Sequence, residues 1–367
     1  MYDPKREYKN NKILINNSIQ NVLNHGLFIN GPEVKLLEKE LKTFTGSKHC
    51  ITVSNGTDAL KIALLALDIG KDDEVITVAH TWISTAEVIS IINAKPVFVD
   101  IDKVTFNMDP AKIEEKITDK TKAIIIVSLY GQVADIDVVN EIANKHNLPV
   151  IEDGAQSFGA VYKNKKSCNL TTIGTTSFFP SKPLGCYGDG GACFTNDDAL
   201  AAKMRAIKNH GGVKRFHHHY IGLNARLDTI QAAILLVKLQ YFDQTLVNRR
   251  NCAQYYSANL KDLEKKGLIK TPTVAEDRLS SWAQYSLIID KKDRDKMVQH
   301  LKNNNINAAI FYPAPLHTQK CFEYLGYQKG DLQMTEEICD SIFNLPCYGE
   351  ITKKEQDYII KVVTDFF

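Results

Sequence analysis

The chain has 367 residues, which is long enough for two domains and a large buried core. With 44% hydrophobic and 24% charged residues, its composition is ordinary for a soluble globular protein. A net charge of +2 gives no general attraction to nucleic acid or to an anionic membrane. No apolar run reaches about 18 residues, so we expect no transmembrane helix.

The N-terminus and the cysteines bear on the cellular compartment, and a histidine triplet raises the question of a metal site. The opening residues, MYDPKREYKNNK, lack the apolar core of a signal peptide. The eight cysteines are scattered without a CxxC pair, which favours reduced thiols in a cytoplasmic protein. Three adjacent histidines at 217–219 do not predict a metal site, because consecutive side chains diverge. We expect a loop there in which one or two histidines face a ligand.

Short apolar runs alternate with helical patterns over the first two-thirds of the chain. A helix is predicted after Gly31-Pro32, where apolar residues recur at helical spacing. Strands are predicted at HCITV (49–53), DEVIT (73–77), KPVFVD (95–100), KAIIIVS (122–128), LPVIED (148–153), TTSFF (175–179) and GACFT (191–195). Near-continuous apolar strands separated by helices indicate a seven-stranded, mostly parallel sheet that is covered on both faces.

The remaining third predicts a smaller mixed unit. From Thr229 to Lys266 there is neither Gly nor Pro, and an apolar stripe predicts one long helix or two in series. Beyond it we predict a strand at 282–290, a helix at 294–304, an irregular segment at 311–317 and a final helix near 353–363. We therefore expect a large α/β domain over 1–245 and a small mixed α+β domain over 246–367.

Two early segments are candidates for ligand binding. Asn55-Gly56-Thr57-Asp58 lies between a predicted strand and helix, where backbone N–H groups could hold a phosphate. An ordinary capped turn explains this segment equally well. Trp82, just past the next strand, could stack on a flat ligand, although core packing is the commoner role of such a tryptophan.

Three later segments extend the pattern. Asp153 ends a strand, where ligands of open α/β sheets bind, but it could equally cap a helix. Lys182 lies in a loop rich in Gly and Pro. If it is shielded from water, its amine would be nucleophilic. Taken by itself, the segment is more simply interpreted as a loop whose lysine stem covers apolar surface. The segment GLNARLD (222–228) is either a plain helix cap or a further contact.

The order of these segments is more specific than any one of them. A phosphate loop, a flat aromatic ring, an acid at a strand end and then a serine and a lysine match the needs of pyridoxal 5'-phosphate (PLP). The phosphate needs N–H groups and hydroxyls, the pyridine nitrogen needs a carboxylate, and the aldehyde needs an amine. The sequence therefore predicts PLP as the cofactor.

The segments NGTDAL, EDGAQSFGA, SFFPSKPLG with GDGGA, and NARLDTIQAA resemble the sugar aminotransferases of the DegT/DnrJ/StrS type. The resemblance runs from GPEV (31–34) to YPAPLH (312–317) and covers most of the chain. It implies PLP fold type I, the aspartate-aminotransferase fold, with a large sheet domain and a smaller C-terminal domain. It also implies a homodimer with shared active sites, in which an isolated monomer is inactive.

The resemblance assigns roles by position. Lys182 resembles the lysine that binds the cofactor covalently, Asp153 the acid that pairs with the pyridine nitrogen, and Gln156 the residue beside the phenolic oxygen. It assigns the other cofactor contacts to Gly56, Thr57 and Ser177 at the phosphate, Trp82 on the ring, and Asn224 at the phosphate of the neighbouring subunit.

The resemblance further implies transfer of an amino group, usually from L-glutamate, to a keto sugar on a nucleotide diphosphate. HTWISTAEVI, YGQ (130–132) and NARLD look more like the 3-aminotransferase branch, so we expect a dTDP-3-keto-6-deoxyhexose substrate. Candidate substrate contacts are Tyr187, His217, Tyr312 and His317. Arg226 is the one candidate for binding the donor carboxylate, because aminotransferases generally use an arginine there.

Four alternatives stay open at this point. The acceptor could be a 4-keto sugar, or the protein could be a PLP-dependent lyase that acts on amino acids alone. A sugar dehydratase of the same fold carries histidine in place of the lysine, which Lys182 disfavours. A non-enzymatic, nucleotide-binding regulatory protein could use the glycine-rich segment 188–191, but it would have no need of Lys182 with Asp153.

Overall fold

The computed structural model describes residues 2–367 of the chain. The α-helices are Pro4–His25, Pro32–Thr45, Gly56–Ala66, Ser84–Ile91, Ile136–Lys145, Asp198–Ile207, Thr229–Leu239, Phe242–Asn259, Lys261–Lys265, Lys291–Asn303, Gln333–Ser341 and Lys353–Asp365. Short 3-10 helices are Pro110–Lys112, Glu114–Lys116, Leu129–Gly131, Leu316–Thr318 and Lys320–Leu325.

A seven-stranded sheet forms the centre of the larger part. Its strands are β1 (His49–Val53), β2 (Glu74–Val78), β3 (Lys95–Val99), β4 (Thr121–Val127), β5 (Val150–Asp153), β6 (Ile173–Ser177) and β7 (Gly191–Thr195). Their spatial order is β1-β7-β6-β5-β4-β2-β3. Strand β7 is antiparallel to both of its neighbours, and the other neighbouring pairs are parallel. The predicted mostly parallel sheet is confirmed.

The sheet is covered on both faces, as the near-continuous apolar strands predicted. In β4, Ile124 and Ile126 pack with Val139 of one helix, whereas Ile125 packs on the opposite face with Ile62. Because side chains alternate along a strand, both sets are buried only when both faces are covered. In sheets covered in this way, ligands bind beyond the carboxyl ends of the parallel strands.

One strand boundary differs from its prediction in a way that shapes the site. The strand predicted at 175–179 ends at Ser177, so the two phenylalanines that follow leave the sheet. The N–H of Phe178 donates to the carbonyl of Gly190 at 2.7 Å, outside the strand pairing. Pro180 then has no N–H to continue a ladder. The lysine loop consequently begins at the strand end and bends over it.

The C-terminal part is a smaller mixed layer. The stretch predicted as one long helix, or two in series, is the series Thr229–Leu239, Phe242–Asn259 and the short Lys261–Lys265. It leads to an antiparallel sheet in which Tyr285–Ile289 pairs with both Ile269–Lys270 and Ile342–Leu345. The predictions did not include the strand at 342–345, which follows a helix without a turn residue.

The two parts of the chain interlock rather than meet at one boundary. Strand Arg278–Leu279 pairs with Val161–Tyr162, which is joined in turn to Lys165–Lys166. Phe98 of β3 packs with Leu316, Phe322 and Leu332 from the C-terminal part. These segments carry the C-terminal chain back over the sheet. The division at residue 245 stays a prediction.

The N-terminal helix Pro4–His25 was not among the predicted elements. Asp3 caps its start, Gly26 ends it with a φ of 69°, and Ile15 packs against the helix Thr229–Leu239. Within residues 2–367 no helix combines the length and apolarity needed to cross a membrane. The same residues contain no cluster of three His, Cys, Asp or Glu side chains suited to a metal ion. All eight cysteines are free thiols.

Candidate active site

A cavity of about 430 Å³ opens at the carboxyl ends of the central strands. Val127 of β4, Asp153 of β5 and Ser177 of β6 each lie at or next to the end of a strand and line it. The C-terminal part closes the cavity with Phe311 and Tyr312. Its volume is within the usual range of small-molecule sites.

One wall of the cavity is the N-terminus of helix Gly56–Ala66. Asn55 caps it by accepting from the N–H of Asp58 at 2.7 Å, while the N–H groups of Gly56 and Thr57 have no partner within the helix. A Cβ at Gly56 would lie 2.7 Å from the Cβ of Ser177, so only glycine fits here. The free N–H groups, the helix dipole and the hydroxyls of Thr57 and Ser177 can together bind a phosphate.

Asp153 is held at the floor of the cavity by two hydrogen-bond donors. Its Oδ2 accepts from the hydroxyl of Thr85 at 2.8 Å, and its Oδ1 accepts from the N–H of Ala155 at 3.1 Å. The residue is only 7% exposed. These two hydrogen bonds fix the orientation of the carboxylate. This side chain can hold a positively charged ring nitrogen.

The amide of Gln156 has a defined orientation. Its Oε1 accepts from the backbone N–H of Tyr130 at 2.8 Å, and its Nε2 donates to the Tyr312 hydroxyl at 3.0 Å. A backbone N–H can only donate, so the amide oxygen must face Tyr130. The NH2 group is therefore on the side of the cavity, where it can donate to an oxygen of a ligand. Tyr130 holds this position with a φ of 57°, an uncommon value for a residue other than glycine.

Behind Gln156, a buried chain of hydrogen bonds braces the floor. The Tyr130 hydroxyl donates to the carbonyl oxygen of Phe311, so it accepts from His80 Nε2 at 2.8 Å. His80 Nδ1 is then left to accept from the thiol of Cys339 at 3.3 Å. Burial lowers the pKa of His80 to about 4, which keeps the imidazole neutral near pH 7. These hydrogen bonds link the strand ends to the segment that contains Tyr312.

The amine of Lys182 lines the same cavity. It forms no ion pair with an acidic side chain of residues 2–367. Burial lowers the pKa of Lys182, and the negative charge of Asp153 opposes part of that shift. The amine therefore loses its proton more readily than an exposed lysine, which suits it to attack a carbonyl and to carry protons.

The aromatic positions of the site divide into two groups. Trp82 lines the cavity with 58% of its surface exposed, and its ring lies 6.3 Å from that of Tyr312. Tyr187 lies outside the cavity, where its ring packs against Tyr8 at 6.2 Å and lies 5.3 Å from the amine of Lys238. The structure thus brings Trp82 and Tyr312 together and leaves Tyr187 apart.

The two predicted histidines are also away from the cavity. His317 is 1% exposed and pairs with Glu336 at 3.0 Å, in a turn that packs under the C-terminal part. Within one chain His317 does not line the cavity, and its predicted substrate contact stays a prediction. His217 is exposed on the hairpin formed by Gly212–Lys214 and His217–His218, so within one chain its predicted contact stays untested.

A second groove of about 500 Å³ adjoins the cavity and contains Asn224 and Arg226. Asn55 and Asp189 line both spaces. Asn224 is exposed, and Arg226 donates to Asn209 at 2.9 Å without entering the cavity. A contact from Asn224 to a neighbouring subunit stays a prediction, and Arg226 does not reach the cavity to bind a donor carboxylate there.

Sequence reasoning missed three residues that the structure brings to the site. Thr85 was overlooked although it follows Thr81 by one helical turn, which is the spacing of side chains on one face. Tyr130 was used only to choose between branches of the family, and Gln284 was treated as part of a strand. The last two have no local signal, because their roles depend on partners distant in sequence.

The residues present fit PLP. The helix N-terminus and the hydroxyls of Thr57 and Ser177 can hold a phosphate, and Asp153 can hold a protonated ring nitrogen. Gln156 offers a donor to the phenolic oxygen, and Lys182 offers an amine to the aldehyde. Each chemical group of the cofactor has a matching group on the wall of one cavity.

Comparisons with known proteins agree with this geometry. Residues 10–364 match the DegT/DnrJ/EryC1/StrS aminotransferase family. The chain is 48% identical, over 94% of each chain, to the UDP-2-acetamido-2-deoxy-3-oxo-D-glucuronate aminotransferase of Pseudomonas aeruginosa. It is 40% identical to the dTDP-3-amino-3,6-dideoxy-alpha-D-galactopyranose transaminase of Aneurinibacillus thermoaerophilus, over 96% of this chain and 95% of the relative.

A solved structure supports both the fold and the cofactor. NtdA of Bacillus subtilis, crystallised with bound cofactor PMP, superposes with a TM-score of 0.91 at 33% identity, over 97% of this chain and 82% of NtdA. The predicted family, the type I fold, the aminotransferase activity and PLP are thereby confirmed. The chain belongs to the DegT/DnrJ/EryC1/StrS family of PLP-dependent aminotransferases.

Proposed function

We propose that the protein transfers an amino group from L-glutamate to a 3-keto hexose carried on a nucleoside diphosphate. The preferred acceptor is dTDP-3-keto-6-deoxyhexose, and the product is dTDP-3-amino-3,6-dideoxyhexose. The observation that carries the proposal is that Lys182 and Asp153 line one cavity, where burial lowers the pKa of the lysine amine. This arrangement supports proton transfer at a carbon next to the transferred nitrogen.

The chain contributes binding, orientation and proton transfer. When bound, PLP supplies an electron sink that stabilises negative charge on the carbon beside the nitrogen. Asp153 keeps a proton on the ring nitrogen, and Gln156 donates to the phenolic oxygen. The helix N-terminus at Gly56 and Thr57 holds the phosphate. Lys182 would take the proton from the donor carbon as a base and then, as an acid, deliver it to the carbon of the cofactor's former aldehyde.

Carbon 3 of the sugar is favoured by the relatives. The Pseudomonas enzyme is named for a 3-oxo sugar on UDP, and the Aneurinibacillus enzyme for a 3-amino-3,6-dideoxy sugar on dTDP. These names differ in nucleotide and in the group at carbon 6, but they agree on carbon 3. A 4-keto acceptor is therefore the weaker alternative.

The cavity lining favours the 6-deoxy sugar over a uronate. Among the residues of 2–367 that line the cavity, Lys182 is the only basic one, and Asp189 also lines it. A carboxylate at carbon 6 would need a second cation, which the lining from a single chain does not supply. A 6-deoxy carbon makes no such demand. This supports dTDP-3-keto-6-deoxyhexose over a 3-keto uronate.

The proposal is tested in both directions of the reaction. The purified protein should be yellow, should bleach with L-glutamate and should regain its colour with 2-oxoglutarate. In the reverse direction, dTDP-3-amino-3,6-dideoxygalactose should bleach it faster than UDP-2-acetamido-3-amino-2,3-dideoxyglucuronate or a dTDP-4-amino-4,6-dideoxy sugar. A faster reaction with the uronate or the 4-amino sugar would contradict the assigned acceptor.

The same preparation separates the remaining alternatives. A lyase would release pyruvate or ammonia from an amino acid without any sugar. A nucleotide-binding regulatory protein would stay colourless after PLP is supplied. In either case no nucleotide-linked amino sugar would transfer its nitrogen to 2-oxoglutarate.

We further propose that two copies of the chain share their active sites, with Asn224 of each copy serving the phosphate of the other. The exposed position of Asn224 beside the cavity supports this arrangement. Lys182→Ala and Asn224→Ala should each be inactive alone. Mixed and reassembled in equal amounts, they should regain about a quarter of wild-type activity, since half of the dimers are hybrids with one intact site. No recovery would mean that Asn224 acts within its own chain, and full activity of Asn224→Ala alone would mean that it has no role.

A further inference from the structure

Gln284 differs from the other glutamines around the active site. It lines the cavity, and its backbone N–H donates to the carbonyl of Tyr130 at 3.3 Å. Its side-chain Oε1 is buried, yet it accepts no hydrogen bond from residues 2–367. By contrast, both ends of the Gln156 amide are bonded, and so are both ends of Gln132. The free amide of Gln284 is therefore a particular feature of this wall.

A buried acceptor without a donor is rare, because the group has lost its water without gaining a partner. In a binding cavity, the usual partner is a ligand. The groups assigned above to PLP do not require Gln284, because its phosphate, ring nitrogen, phenolic oxygen and aldehyde each have another residue. A ligand in the cavity can supply the missing donor.

The chemistry of the substrates narrows the choice of donor. An amide oxygen needs an N–H or O–H group. The carboxylates of glutamate and the phosphates of a nucleotide only accept, and the amino group of glutamate is the one transferred. Hydroxyls of the hexose, or the N–H of an acylamino group on it, are donors, and so are the base N–H and the 3'-hydroxyl of dTDP, which a comparison with dTDP alone separates. The hexose groups are also those that surround the reacting ketone.

We propose that Gln284 determines specificity for the acceptor by accepting a hydrogen bond from a hydroxyl or acylamino N–H on the sugar ring. This inference rests on the proposed function and names one of its contacts. Gln284 reaches the cavity beside Phe311 and Tyr312, in the part of the wall that the C-terminal chain supplies. Sugar recognition is thereby separated from the phosphate site at Gly56.

The test compares binding of a nucleotide-linked sugar with binding of the nucleotide alone. The probes are dTDP-3-amino-3,6-dideoxygalactose and dTDP alone, titrated calorimetrically into the PLP-loaded enzyme. Gln284→Met removes both polar atoms at similar volume, and Gln284→Glu keeps an acceptor. Gln299→Met is the matched control, because Gln299 lies on the helix Lys291–Asn303 and bonds only to Asn303.

For Gln284→Met we expect the Kd of the amino sugar nucleotide to rise about tenfold, with the Kd of dTDP unchanged. The rate of bleaching by L-glutamate should stay at the wild-type value. Gln284→Glu should bind the amino sugar nucleotide more tightly than Gln284→Met, and Gln299→Met should match the wild type. This pattern assigns the effect to the sugar ring.

Other patterns overturn the proposal. If affinity for the sugar nucleotide, affinity for dTDP and the rate of bleaching by L-glutamate all fall equally, Gln284 has a structural role. If binding of the sugar nucleotide is unchanged, water satisfies the Gln284 amide. Thermal melting checks that the variants fold, and if Gln284→Met does not, Gln284→Asn replaces it. If wild-type enzyme neither binds nor uses any nucleotide-linked amino sugar, the proposed function falls as well. If the wild type reacts normally and the variants bind the sugar nucleotide as tightly as the wild type, only the proposed role of Gln284 is contradicted.

Discussion

The two faces of β5 treat an acidic side chain in different ways. Glu152 lies on the covered face, 0% exposed, and accepts from Ser128, Ser167 and the N–H of Cys168 at 2.9, 2.7 and 2.7 Å. Burial raises the pKa of Glu152, and these hydrogen bonds offset only part of the shift. The next residue, Asp153, ends the strand on the opposite face, at the carboxyl end where the cavity opens.

The difference shows what an acid needs in order to bind a cation. Glu152 has hydrogen-bond donors but no positively charged partner among residues 2–367, so burial favours its neutral form. Asp153 has two donors and an open space shared with Lys182. We infer that strand-end geometry, not the residue type, makes one acid functional. The following predictions test that contrast, beginning with the largest effect.

Lys182→Ala should abolish turnover, with a loss of more than about 10⁴-fold, because the base, the acid and the cofactor attachment are lost together. The protein should still fold and bind PLP loosely. Single-turnover absorbance with L-glutamate measures the loss, and circular dichroism checks the fold. Near-native turnover would remove Lys182 from the chemistry.

Asp153→Asn should lower the rate by roughly 10²–10³-fold, because a neutral amide cannot keep a proton on the ring nitrogen. Steady-state transamination with L-glutamate and 2-oxoglutarate measures this change. Unchanged kinetics would mean that the functional acid has been assigned to the wrong face of β5.

His80 should make the protein less stable in acid. The pKa of His80 falls from 6.5 to about 4 on folding, so the folded state binds the proton less tightly than the unfolded state. Stability is therefore lost as the pH falls below 6.5, and the full loss of about 3 kcal/mol is reached below about pH 4. Urea unfolding of wild type and His80→Asn at several pH values measures it. A parallel pH dependence in the two proteins would contradict this account.

Thr85→Val should reduce the rate about fivefold to tenfold, because Asp153 loses one of its two hydrogen-bond donors. Valine has nearly the same shape, so packing should be kept. Thr85→Ser restores the hydroxyl and should recover most of the rate in the same transamination assay. A variant Thr85→Ser as slow as Thr85→Val would point to the methyl group instead.

Glu152→Gln should have the smallest effect on catalysis, within about threefold of the wild type, although it neighbours Asp153. An amide can replace a protonated carboxyl among hydroxyls that rotate. Because the folded state holds the Glu152 proton more tightly, wild-type stability should fall as the pH rises above 4.5, and glutamine should remove that slope. Thermal melts of both proteins from pH 4.5 upward, with kcat at pH 7, test both points. A large loss of rate would contradict the inference that Glu152, unlike Asp153, has no role in catalysis.

The local pattern of the chain was enough to predict much of the fold. Apolar runs such as those of β4 and β5 have the length and β-branched content of buried strands, and glycines or polar caps separate them from helices. The helix Pro4–His25 escaped prediction because its surface is largely polar and only Ile15 and Val22 are buried. The strand Ile342–Leu345 escaped because four residues carry no period that can be distinguished from the end of a helix.

The sequence by itself indicated the chemistry of this protein: Lys182, Asp153 and the helix start at Gly56 lie in short motifs whose order, together with the family resemblance, predicted their roles. Tertiary structure decided which other residues serve them. Tyr130 orients Gln156, Thr85 holds Asp153, and Gln284 presents a free amide, only because distant segments meet at the ends of the parallel strands. The fold also buries His317 beside Glu336, outside the cavity lining. Hydrogen bonds between remote residues leave no local periodicity, so only the packed fold reveals them.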